Sequence, residues 1–214
     1  MNINKSQEEF VMKKFLRINL QIALCIMFIF QIEASGKSDP KETALLLIDI
    51  QNFYFPGGNW ELVNPEKACF NAQKLLTKFR ENKNIIVHIR HNAEPGGEIH
   101  KLVQPFENEL VITKNSANCF KDTELYDYLI AHQIKKLVIC GMMTHMCVEA
   151  ATRAGSDYGF ECLVVGDACA TRAVEFNGKK VSAEDVHIST LSTISGSYAK
   201  VMDVDKFLAT LDNL

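Results

Sequence analysis

From residue 43 onward the chain alternates between two hydrophobic patterns. Short unbroken apolar runs suit strands buried on both faces. They give way to stretches whose apolar positions recur every three to four residues, the period of a helix with one buried face. The runs 43–50, 84–91, 110–114, 136–141 and 161–166 predict strands, and 200–202 predicts a brief last one. Residues 64–82 predict a helix, with Ala68, Ala72, Leu75, Leu76 and Phe79 on one face and Asn64-Pro65 as its start. Helices are also predicted over 123–132, 147–158 and 182–195, and a C-terminal one from Asp203. Alternation at these lengths makes an α/β fold, a three-layer α/β/α sandwich with a mainly parallel, Rossmann-like sheet.

The N-terminal stretch follows a different order. A basic segment, Met12-Lys13-Lys14-Phe15-Leu16-Arg17, precedes the apolar run Ile22 to Phe30, and Ala34 offers a small residue for cleavage. Basic, apolar, small is the order of a secretory signal peptide. The run is shorter than the ~18–20 residues of a spanning helix. Glu8 and Glu9 place acid where a signal head is basic, which points to Met12 as the true start. The expected organisation is a signal peptide over 1–34, a linker over 35–42 and one domain over 43–214. Export to a periplasm or secretion follows, or a cytoplasmic location if the signal is not used.

Composition narrows the class. The 214 residues are 47% hydrophobic and 23% charged, which excludes disordered and low-complexity chains. The net charge is −3 and becomes −4 without residues 1–34, which argues against nucleic acid as a partner. The seven cysteines are an odd count, but Cys25 would leave with the signal and the six others need not pair. The expected partner is a small-molecule substrate, with no membrane contact in the mature form.

Ligands of open parallel sheets sit at the carboxyl ends of the strands. Three of those ends carry reactive groups: Asp49 after the first strand, Lys114 ending the third, and Cys147 after the fourth. Each alone has a bland explanation as a turn residue, an exit to solvent or a small buried side chain. Together on one edge they suit nucleophilic catalysis. A thiol at a helix start beside a lysine is expected to ionise more easily, and an acid can carry its proton.

The segments Leu47-Ile48-Asp49-Ile50-Gln51-Asn52-Phe53, Lys114 with Cys119-Phe120, Gly141-Met142-Met143-Thr144-His145-Met146-Cys147-Val148 and Asp167-Ala168-Cys169-Ala170-Thr171 resemble the isochorismatase-like cysteine hydrolases. That family includes nicotinamidases and N-carbamoylsarcosine amidases, and the resemblance spans about residues 43–211. It implies Cys147 as nucleophile, Asp49 as general base and acid, and Lys114 as third member of a triad. It also implies a cis peptide between Met142 and Met143, with the backbone N–H groups of Met143 and Cys147 as an oxyanion hole. Family members are commonly dimers or tetramers, so a homo-oligomer is expected.

Nicotinamidases of this family hold a metal through Asp-x-His and a second His, where this chain reads Ile89-Arg90-His91-Asn92-Ala93-Glu94. His88 and His91 lie three apart on a strand and face opposite ways. No metal and no cofactor are therefore expected, with His91, Glu94 and His100 left as a conceivable weak site. Asn52, Phe53, Trp60, His91, Phe120 and His145 are the candidate substrate contacts. Cys69, Cys140, Cys162 and His187 read as structural. The resemblance implies hydrolysis of a small amide or carbamoyl compound through a thioester. Isochorismatase-type vinyl ether hydrolysis and a catalytically idle binding module are the alternatives.

Overall fold

The computed structural model describes residues 40–211, which lie in one compact unit, Asp39–Leu214. The signal peptide expected over 1–34, with Cys25, lies outside the described residues. In chain order the strands are β1 (Thr43–Ile48), β2 (Ile85–His91), β3 (Leu110–Lys114), β4 (Lys136–Met142), β5 (Glu161–Ala170), β6 (Val174–Phe176), β7 (Lys179–Val181) and β8 (Ala199–Met202). The helices are α1 (Pro65–Glu81), α2 (Leu125–Ala131), α3 (Glu149–Asp157), α4 (Ala183–Ile194) and α5 (Val204–Leu211). Six strands form one parallel sheet in the order β3-β2-β1-β4-β5-β8. Every residue of β1 is buried, as its unbroken apolar run requires of a central strand covered on both faces.

Helices cover both faces. On α1 the expected stripe of Ala68, Ala72, Leu75, Leu76 and Phe79 is buried against the sheet, and Phe79 stacks on Phe207 of α5 at 6.2 Å. Helices α3 and α4 pack together against β5 and β8 on the other face. The entry to β3 is pinned by charge. Glu109 takes hydrogen bonds from Arg80 at 2.7 and 2.8 Å and pairs with buried His88 at 2.9 Å. Burial alone would raise the Glu109 carboxyl, but Arg80, the Phe106 N–H and His88 outweigh it and bring it down to about 2.

Four local features differ from the sequence expectation. Residues 40–42 form a 3-10 turn, and the Glu42 carbonyl accepts from the Lys135 N–H at 2.8 Å, so the folded unit reaches into the expected linker. The helix expected over 147–158 begins as a π-turn, Thr144–Val148, and becomes α-helical only at Glu149. The exposed pair β6–β7, joined through Asn177-Gly178, lacks the buried alternation that makes a strand legible. Strand β5 runs to Ala170 rather than Gly166 because its register against β4 shifts between Ile139 and Gly141.

Gly141 stands at that shift and beside β1. Its φ is +128°, and a Cβ built there would stand 2.0 Å from the carbonyl oxygen of Ile48. Strand β4 thus passes β1 where no side chain fits, one residue before Asp49. Gly141→Ala is expected to destabilise the fold by more than ~4 kcal/mol, through both backbone strain and overpacking. Urea unfolding of the purified variant measures this, and a cost below ~1 kcal/mol would show that β1 and β4 can yield here.

Candidate active site

The strand order reverses between β1 and β4, and the crevice at that switch point receives side chains from both. Asp49 follows β1 in a left-handed conformation (φ 49°), while its N–H still bonds the Ile89 carbonyl at 2.9 Å. A non-glycine residue held at positive φ is uncommon and marks an over-determined position. Lys114, the last residue of β3, is buried and reaches across β2 toward Asp49. Its Nζ donates to Asp49 Oδ2 at 2.7 Å and to Cys147 Sγ at 3.3 Å, and lies 3.3 Å from His91 Nδ1. One ammonium therefore joins three strand ends.

Burial sets the electrostatics. Desolvation raises the Asp49 carboxyl despite the opposing charge of Lys114. Desolvation would lower Lys114, but the negative charges of Asp49 and Cys147 carry it above the ordinary lysine value. Burial and the Asp49 charge push the Cys147 thiol up to about 12. The expectation of an easily ionised thiol is thus corrected. Cys147 is the fourth residue of a π-turn rather than the first of a helix, and Lys114 already serves a carboxylate. Asp49 Oδ1 is buried and has no hydrogen bond of ordinary geometry. The Cys147 thiol acts on that carboxyl, lowering its pKa while its own rises, as a donated S–H does.

The turn carrying Cys147 is held on both sides. The Met142–Met143 peptide is cis. Thr144 Oγ1 meets His187 Nδ1 of α4 at 2.9 Å, and His145 Nδ1 meets Thr171 Oγ1 just past β5. These bonds tie the turn to two neighbouring elements.

The structure distributes the candidate contacts unevenly. His91 touches Lys114, as above. Phe53 is buried, its ring edge-on to Tyr54 at 4.4 Å and to Trp60 at 4.9 Å, and Trp60 as a residue is 44% exposed. Asn52 is exposed, its Nδ2 3.5 Å from Glu98 Oε2. His145 is half-buried within the turn that carries Cys147. Phe120 packs against Tyr158 and Phe160 at the amino end of β5, with ring centroids at 5.2 and 6.1 Å, away from the carboxyl edge that carries Asp49 and Lys114. The neighbouring Cys119 thiol is fully buried and feels the charges of Asp49, Lys114 and Cys147 instead.

Sequence reasoning missed Tyr54, Gln51 and Arg172. Burial and the charges of Asp49 and Cys147 raise the Tyr54 phenol, and the Arg172 guanidinium bears on both Tyr54 and His145. Nothing in linear spacing separates Phe53 from Tyr54; the 3-10 turn Asn52–Tyr54 decides how each ring is placed. His100 stacks on Phe55 at 3.9 Å and sits 3.4 Å from Cys69 Sγ, so the conceivable His91–Glu94–His100 site is not assembled. Among the described residues no group of three His, Cys, Asp or Glu side chains could hold a metal ion.

Comparison with known proteins places this geometry. The isochorismatase-domain family profile matches residues 43–203. The chain is 44% identical over 177 residues to the uncharacterized isochorismatase family protein YddQ of Bacillus subtilis, covering 78% of this chain and 98% of that one. It is 30% identical over 200 residues to nicotinamidase 3 of Arabidopsis thaliana, covering 82% and 92% respectively. A crystal structure from Oleispira antarctica, assigned as an isochorismatase hydrolase, superposes with a TM-score of 0.77 at 44% identity, covering 81% of this chain and all of that one.

Proposed function

The chain belongs to the isochorismatase family and is a hydrolase of that class, and from this premise we propose that it cleaves a small amide or carbamoyl compound through a thioester on Cys147. The observation that carries the proposal is the single buried ammonium of Lys114 touching both the Asp49 carboxylate and the Cys147 sulfur. A vinyl ether hydrolase that works without a covalent intermediate has no use for a nucleophilic sulfur at this position.

The chemistry follows from the protonation states. At rest the thiol keeps its proton, since its pKa is pushed up to about 12. Asp49, a stronger base than an ordinary carboxylate, takes that proton as sulfur bonds to the substrate carbonyl carbon. The carbonyl electrons move to oxygen, and we assign the backbone N–H groups of Met143 and Cys147 to receive the charge. As the oxyanion collapses, the C–N bond breaks and protonated Asp49 gives its proton to the leaving nitrogen, releasing ammonia or an amine. Water then adds to the thioester, Asp49 removing its proton, and the carboxylic acid departs with the thiol restored. Lys114 stays protonated throughout and holds Asp49 and the sulfur in register. Tyr54, His145 and Arg172 are the contacts we assign to the substrate, with Trp60 at the rim. Export rests on the basic, apolar, small order of residues 12–34.

Two measurements test this reading. Purified protein offered a panel of small carboxamides, carbamoyl compounds and isochorismate should release ammonia or amine from a member of the first two classes. Acid-quenched turnover should leave an acyl group on the Cys147 peptide, read by mass. Turnover of isochorismate with no acyl adduct would overturn the proposal. The pH profile of kcat/KM supplies a further expectation. Asp49 must be ionised to accept a proton and its pKa is raised, so the acid limb should lie above the ordinary carboxylate value of ~3.9. The raised Lys114 should keep the alkaline side open to at least about pH 10.

A further inference from the structure

Strand β1 leaves the sheet at Asp49, where the chain turns into the left-handed region, but its neighbour β2 continues to His91. The main-chain groups of His91 would lose their β1 partner there. The side chain of Gln51 takes them instead: its Oε1 accepts from the His91 N–H at 2.7 Å, and its Nε2 donates to the His91 carbonyl at 3.0 Å. A second Nε2 bond, to the Gly97 carbonyl at 2.6 Å, uses the rest of its capacity. Gln51 is completely buried. It therefore acts as one more residue of β1, clamping the end of β2 to the turn that holds Asp49.

His91 transmits that clamp to the reacting groups. A protonated lysine has three N–H bonds, and the Lys114 ammonium has three acceptors in reach: Asp49 Oδ2, Cys147 Sγ and His91 Nδ1. For Nδ1 to accept, the ring must be neutral with its proton on Nε2. Burial and the Lys114 charge both favour the neutral ring, against the weaker pull of Asp49. With three acceptors the ammonium has one favourable orientation; with two it can tilt off the sulfur or the carboxylate.

We propose that His91 and Gln51 are positioning residues for Lys114, with Gln51 fixing the His91 backbone and His91 Nδ1 accepting the third N–H of the ammonium. The inference rests on the reading of Lys114 given above. It assigns His91 to the catalytic lysine rather than to the substrate.

Iodoacetamide labelling of Cys147, followed by mass of its peptide in the intact purified protein, needs no substrate and reports how well Lys114 supports the thiolate. His91→Leu should slow labelling about 10–100-fold, the scale set by a misplaced catalytic group, and should lower kcat for the amide by a similar factor with KM nearly unchanged. His91→Asn puts an amide oxygen close to where Nδ1 stood and should restore most of both. Gln51→Met should slow labelling in the same way, and the double variant Gln51→Met/His91→Leu should be little worse than either single one, because both act through one ammonium. A rise in KM with unchanged kcat in His91→Leu would overturn the inference, making His91 a substrate contact. So would a His91→Asn protein no better than His91→Leu, or additive losses in the double variant. Lys114→Met separates the two readings. If it slows labelling and the His91 and Gln51 variants do not, the positioning inference fails alone; if Lys114→Met itself labels normally, the reading of Lys114 fails and takes this one with it.

Discussion

Cys147→Ala is expected to lose turnover by on the order of 10⁵-fold or more, while the protein stays folded. The size follows from the proposed role: with no sulfur there is no thioester, and the backbone N–H groups offer no other route through a covalent acyl group. Residual catalysis would come from oxyanion stabilisation and binding alone. The structural cost is small because the substitution removes one atom from a site that keeps its Lys114–Asp49 pair at 2.7 Å. A change in unfolding free energy below ~2 kcal/mol is expected. The check is paired: ammonia release against substrate concentration, and urea unfolding on the same preparation. Retained activity in purified Cys147→Ala would remove the nucleophile from the mechanism.

Lys114→Met has a different signature, because it should harm activity and stability together. The lysine and aspartate side chains are both fully buried, and the pair is joined at 2.7 Å. Removing the cation leaves a buried carboxylate without its partner, which typically costs about 3–5 kcal/mol. Activity should fall about 10³–10⁴-fold, as for other residues that orient and electrostatically support a catalytic base. The stability loss should depend on pH, with a definite sign. Burial already raises Asp49, and Lys114 is the main influence lowering it. Without Lys114 the folded-state pKa climbs further above the unfolded value of ~3.9. An acid raised in the folded state stabilises that state below the unfolded pKa, and the benefit is lost as pH rises through the folded pKa. The deficit of Lys114→Met should therefore be smallest near pH 4 and largest in alkaline solution. Urea unfolding across that range measures it, and a pH-independent deficit would show that Asp49 is not the group left exposed to the loss.

The contrast between the two variants separates chemistry from architecture. Cys147 is placed by a turn whose own hydrogen bonds, through Thr144 with His187 and His145 with Thr171, do not involve the sulfur. Lys114 is placed by the sheet and holds other groups in turn. A thiol can be deleted from such a site more safely than the cation between it and the buried carboxylate.

Much of this was legible in the sequence. The apolar runs located all six strands of the main sheet, and the periodic stretches located the helices to within a few residues, because burial on one face or two leaves a local periodicity. The edge carrying Asp49, Lys114 and Cys147 was legible for the same reason, since Asp49 and Lys114 close the runs of β1 and β3 and Cys147 follows within a few residues of the end of β4. Side chains that meet from different elements were not. Phe120 and Cys119 are adjacent in sequence, yet the thiol feels the charges of Asp49, Lys114 and Cys147, while the ring packs with Tyr158 and Phe160. Tyr54 rather than Phe53 carries its polar group into the field of Asp49 and Cys147. The sign of the Cys147 shift was misjudged as well, since motif spacing says nothing about how far a thiol is buried.

By itself, then, the sequence determined the order of strands and helices and which reactive side chains reach the carboxyl edge, because hydrophobic periodicity is a local record of burial. Only the tertiary structure decided what those side chains do to one another. The register shift at Gly141, the departure of β1 at Asp49 and the clamp of Gln51 on His91 bring together groups far apart in the chain. Distances of 2.7 to 3.3 Å around one ammonium, and the desolvation that accompanies them, exist only once the strands are aligned.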